Sequence, residues 1–154
     1  MGKDKPKVQM ILESVFSAAI EKLTRFDSGQ AISALYIQLD LATGEIQVYD
    51  DREALLEKNI IFEWAEQAER NPRLYNQAVH FIRVSLYALR TRRIFDNPIF
   101  MLPFKVMIVD DNFNEMETVF SIEGADVFVE GGRLMKNLEQ ELQIFSKKIF
   151  ADLE

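Results

Sequence analysis

The apolar positions change their period several times along the chain, and each change marks an element. Over 6–26, Val8, Ile11, Leu12, Val15, Phe16, Ala19 and Leu23 recur at steps of three and four. Pro6 suits a first helical turn and Asp27-Ser28-Gly29 an end, so the spacing predicts an amphipathic helix. Between Ala31 and Leu41 the period becomes two, with Leu35, Ile37, Leu39 and Leu41 opposite Tyr36, Gln38 and Asp40. Thr43-Gly44 turns the chain, and Ile46 and Val48 return against Gln47 and Tyr49, which predicts a β-hairpin over 31–50. Asp50 followed by Glu53 has the form of a capping box and opens a predicted helix over 51–69, through Leu55, Leu56, Ile60, Ile61, Trp64, Ala65 and Ala68. Asn71-Pro72 separates it from a second helix, about 72–94, striped by Leu74, Ala78, Phe81, Ile82, Leu86 and Leu89, and Asn97-Pro98 closes that one.

Residues 104–109 are apolar at nearly every position, as expected of a strand covered on both faces or buried against a partner. Asp110 to Asn114 is turn chemistry. Beyond it, Met116, Thr118, Phe120 and Ile122 alternate with Glu117, Val119, Ser121 and Glu123, and 127–129 reads as a further short strand. After Gly131-Gly132 a last helix carries Met135, Leu138, Leu142, Phe145 and Ile149 in a heptad-like stripe, too short for a coiled coil and ordinary for a core-facing helix.

The order α-ββ-αα-ββ(β)-α predicts an α+β fold, an antiparallel sheet of about four to five strands with helices packed mainly on one face. It resembles in topology the roadblock/longin type of small dimeric adaptor, although the paired helices over 51–94 stand where that pattern has one. The resemblance implies a small self-associating adaptor.

At 154 residues, 48% hydrophobic and 11% aromatic, the chain can close one core, and a single domain over 1–154 is expected, with 1–6 disordered. There is no cysteine, which removes disulfides, thiolate metal sites and cysteine nucleophiles. The N-terminus lacks the apolar core of a secretory signal, and no stretch is long and uncharged enough to span a membrane. Cytoplasmic residence and no membrane partner are therefore expected. The net charge of −7 opposes binding of nucleic acid by the whole surface. Its distribution is uneven: Arg70 to Arg93 holds six arginines, no lysine and no acid, while the other twelve basic residues stand against all 25 acidic ones.

That asymmetry supplies the first candidate site. Arg73, His80, Arg83, Tyr87 and Arg90 fall at helical steps with Asn76 and Gln77, and Arg92 and Arg93 extend the charge where cations oppose the helix dipole favourably. Guanidinium forks suit carboxylate or phosphate, so the face reads as a partner- or anion-binding surface. The competing expectation is neutralisation within the molecule by the acidic segment 51–69. His80, the sole histidine, has no acid among its sequence neighbours, and Ser85 is placed too far round the helix for a catalytic dyad. The turn at 110 fails the calcium-loop pattern at its sixth and twelfth positions, Glu115 and Ser121. Gly131-Gly132-Arg133 lacks the rest of a phosphate loop. For pocket furniture the sequence offers Tyr36, Tyr49, Trp64, His80 and Tyr87.

No nucleophile–base pair, metal-ligand spacing or nucleotide fingerprint emerges, so no cofactor, metal or catalytic residue is assigned. The reading is a non-enzymatic interaction module, a small cytosolic adaptor or regulatory subunit that forms a homodimer. Its expected contacts are Phe100, Phe104, Val106 and Ile108 of the apolar strand, or Leu138, Leu142 and Phe145 of the last helix, with the arginine helix binding a partner. The alternatives are an anion or nucleic-acid binder acting through 70–93, and a small-molecule-binding domain or enzyme.

Overall fold

α1 (Lys7–Arg25) begins where expected, with the Pro6 carbonyl accepting the amide of Met10 at 3.1 Å. The computed structural model describes residues 5–25 and 31–123, and the chain divides at residue 122, so every helix and strand named below belongs to the unit 1–122. The Lys5 ammonium stands 2.9 Å from Glu13. One face of α1, carrying Leu12, Val15, Phe16, Ala19, Ile20 and Leu23, is buried. Each such side chain contributes roughly 1.5–3 kcal/mol when fully withdrawn from water.

β1 (Ile32–Asp40) and β2 (Glu45–Tyr49) form the expected hairpin, paired antiparallel from Tyr36 opposite Tyr49 to Asp40 opposite Glu45. Gly44 is indispensable at its end. Its φ is +79°, and a Cβ there would stand 2.3 Å from the carbonyl oxygen of Ile61, whose own amide donates to the Gly44 carbonyl at 2.8 Å.

The helix expected from residue 51 gives way at first to a third strand, β3 (Leu55–Ile60), and helix α2 spans only Phe62–Gln67. Asp50 explains the difference. Its Oδ1 accepts the amides of Arg52 at 2.8 Å and Ala54 at 3.0 Å, and Glu53 turns into the left-handed region at φ 65°, which ends any helix and reverses the chain. A short side-chain acceptor satisfies turn amides as readily as helix amides, so the residues that look like a capping box make a hairpin turn. α3 (Leu74–Thr91) starts two residues later than expected, after Asn71 Oδ1 has accepted the amide of Arg73 at 2.9 Å. It ends in a Schellman motif: the Arg93 amide bonds the Arg90 carbonyl and the Ile94 amide bonds that of Leu89, with Arg93 at φ 63° where glycine is usual.

β4 (Phe100–Val109) and β5 (Glu115–Ile122) complete a five-stranded sheet in the order β3-β2-β1-β4-β5. The fold is α+β. Only β1 and β4 run parallel, as two strands separated by a helical crossover do, and every other pair is antiparallel. The core lies between α1 and α3 and one sheet face, where Leu35, Ile37, Ile46, Val48, Phe104, Val106 and Ile108 are buried. Ala34, Met107 and Val109 are buried on the opposite face, so the double-sided apolar character of 106–109 is that of an internal strand. The expected strand at 127–129 and the last helix lie outside the described residues.

Candidate functional site

α3 does not gather its arginines onto one free face. The Arg83 guanidinium donates to Glu117 on β5 at 2.8 Å, while Arg92 donates to Glu13 on α1 at 2.8 Å. Arg70 folds back onto the Glu66 carbonyl at 2.8 Å, and Arg93 stands 3.9 Å from Asp96. Neutralisation is therefore internal for Arg83 and Arg92, but by acids of α1 and β5 rather than by segment 51–69. Register accounts for Glu117. The pairing of β5 shifts between Val106 and Met107, leaving Val119 as an extra residue and turning Glu117, opposite Ile108, toward α3. Tyr75 donates to the same carboxylate at 3.1 Å, and its phenol is pushed up by burial and by the Glu117 charge and hydrogen bond, against the opposing Arg83. Arg73 is exposed, and Tyr87 and Arg90 are half-buried.

His80 is buried with its ring 5.9 Å from that of Phe81. Burial, and then the Arg83 charge, lower its pKa to about 4, so the imidazole is neutral near pH 7. Ser85, also buried, donates to the Phe81 carbonyl at 2.7 Å, a local helix bond rather than a catalytic one. Glu13 is the buried acid: it accepts Lys5, Gln9 at 2.9 Å and Arg92, joining the N-terminal tail, α1 and the end of α3.

The proposed contact strand lies inside the molecule. Phe100 is 7% exposed, Phe104 and Val106 0% and Ile108 1%, all packed in the helix-facing core, where an internal strand must put them. Leu138, Leu142 and Phe145, like Gly131-Gly132-Arg133, lie outside the described residues. Among the described residues the exposed large apolar side chains are Met10, Leu55, Ile60, Phe62, Met101, Leu102 and Met116. Two of these stand close together along the chain, Ile60 at the end of β3 and Phe62 at the start of α2, where the ion pair of Lys7 with Glu63, 3.5 Å, holds the first turn of α1. Phe62 is 68% exposed, Met10 55% and Ile60 43%.

Of the possible pocket residues, Trp64 is in the core, while Tyr36 and Tyr49 become cross-strand partners on the sheet face away from the helices. Phe113 joins them, its ring centroid 5.0 Å from Tyr49 and 6.2 Å from Tyr36. Sequence reasoning passed over Phe113. The signal was the turn itself, since 110–114 repeats 50–54: Asp110 Oδ1 accepts the amides of Asn112 and Asn114 at 2.9 Å, and Phe113 takes the left-handed place of Glu53. Those bonds, the Asn114 amide foremost, hold the Asp110 carboxyl below its ordinary range against the opposing effect of burial.

Comparison of the chain with protein-family models, curated proteins and solved structures returned no match. The likeness to roadblock/longin adaptors thus rests on element order, from which the third strand before α2 is a further departure.

Proposed function

We propose that the protein is a non-enzymatic interaction module, a small cytosolic adaptor or regulatory subunit that associates with a second copy of itself. The observation that carries this reading is the apolar corner of Ile60 and Phe62 at the end of β3, the edge strand of the sheet. Singly exposed apolar residues are ordinary, but two large ones this close together gain free energy when covered. No described helix is long and apolar enough to cross a membrane. The edge favours side-chain packing over strand addition. Register turns the amides of Lys58 and Ile60 outward, and each donates to a neighbouring side chain, Glu57 Oε1 at 3.3 Å and Asn59 Oδ1 at 2.7 Å. Contact through the apolar corner leaves those bonds intact.

Light scattering coupled to size exclusion tests the reading on the wild type and on Phe62→Asp. Phe62 is mostly exposed, so the variant keeps its circular dichroism while a dimer becomes a monomer. A wild type that is monomeric at every concentration, or a dimer indifferent to the substitution, contradicts it. Ile108→Asp is a control for the opposite reason: a charge in the core unfolds the chain rather than separating two copies.

A further inference from the structure

The sheet face turned away from the helices carries a row of side chains that are successive partners across four strands: Leu55, Tyr49, Tyr36 and Met107. The turn after β4 lays Phe113 against the two tyrosines, nearly perpendicular to Tyr49 at 81°. The rings are fixed in place. The Tyr49 hydroxyl stands 2.5 Å from Gln47 Oε1 and 3.2 Å from Gln38 Oε1, and Gln38 Nε2 donates to the Asp110 carbonyl at 3.1 Å, linking β1 to the turn. Tyr36, Tyr49 and Phe113 all remain half-buried.

Carboxylates converge on these rings from separate segments. Asp51 lies beside β1, accepting the amide of Ser33 at 3.0 Å, and Glu115 pairs with Val109 at the start of β5. Besides burial, the charges of Asp51, Glu115 and Glu53 push the Tyr36 phenol up, and those of Glu45 and Asp111 do the same to Tyr49. With Asp110 these six acids outnumber Arg52, Lys58 and Lys105, the cations of the same face and its turns among the described residues.

We infer that this aromatic face is a docking surface for a basic segment of a partner protein, which lays an arginine or lysine side chain against the rings of Tyr36, Tyr49 and Phe113 within reach of Glu53, Asp111 and Glu115. Charge complementarity selects the occupant. Aromatic faces carry a negative quadrupole and the surrounding groups are carboxylates, so a cation with an apolar or planar body answers both, and arginine does so best because its guanidinium stacks and forks. Phosphate is repelled by the same acids, which sets nucleic acid aside. The rings of this surface and Phe62 are altered separately, so one proposal can fail without the other.

The test is fluorescence polarisation with a short labelled peptide of alternating arginine and glycine. The expected result is saturable binding that Phe113→Ala weakens about tenfold. The combined Glu53→Gln, Asp111→Asn and Glu115→Gln variant changes only exposed groups, so it stays folded and loses binding as well. A variant of equal charge altered at Glu21, Glu66 and Glu69, all exposed and away from the rings, binds like the wild type, as does Phe62→Asp. Absence of saturable binding, wild-type affinity in Phe113→Ala, or equal loss in both triple variants overturns the proposal. A dimer that Phe113→Ala dissociates would seat a second copy on this face and overturn it too.

Discussion

Among the described residues three other than glycine hold left-handed backbone, Glu53, Phe113 and Arg93, and each closes a turn or a helix end. Such a conformation costs a residue with a Cβ about 1–2 kcal/mol. Arg93 is the least compensated: its side chain is 84% exposed and its nearest acid is 3.9 Å away. Arg93→Gly should therefore raise stability by about 1 kcal/mol, read from urea unfolding with an unchanged slope. Gly44→Ala has the opposite sign, because positive φ and the approach of the Ile61 carbonyl act together, and a loss of about 2–4 kcal/mol is expected in the same assay. His80 adds a pH dependence. With a folded pKa of about 4 against an ordinary value near 6.5, it binds its proton more readily in the unfolded chain. Its contribution to stability is complete above pH 6.5 and is lost as pH falls toward 4, by roughly 2–3 kcal/mol. Unfolding curves at pH 7 and pH 5 should diverge less for His80→Leu than for the wild type, and equal divergence would show that His80 is not the group responsible.

At the scale of elements, periodicity was readable wherever an element buries one face, as for α1, β1 and α3. It was not readable at 51–61. Leu55, Leu56, Ile60 and Ile61 fit a helix stripe and a strand equally, and the decision lay with Asp50, whose carboxylate serves either kind of amide. Helix order said nothing about β1 and β4 becoming parallel neighbours, since that depends on where α3 delivers the chain. The arginines of α3 were legible as a cluster, but their partners Glu13 and Glu117 are set by packing and by a bulge, neither written in local spacing. The tyrosine pair was visible as alternating residues, and Phe113 only through the recurrence of one turn. Because that turn depends on its first residue, Asp50→Ala and Asp110→Ala should each lower stability in thermal or urea unfolding. A neutral result would mean that the flanking strands suffice to close it.

In the molecule as a whole, each face of the sheet does something different. One holds α1 and α3 over a continuous core; the other presents aromatic rings among carboxylates; the β3 edge has its outward amides occupied and its apolar corner open. The apolar strand 100–109 packs in the core, and the proposed contact rests on Ile60 and Phe62. Amide hydrogen exchange at two protein concentrations tests that contact most directly. Self-association through the corner predicts slower exchange at the higher concentration in peptides covering 58–64, with β4 and β5 unchanged. Exchange that is independent of concentration at that corner, or a change centred on 100–109, would contradict it.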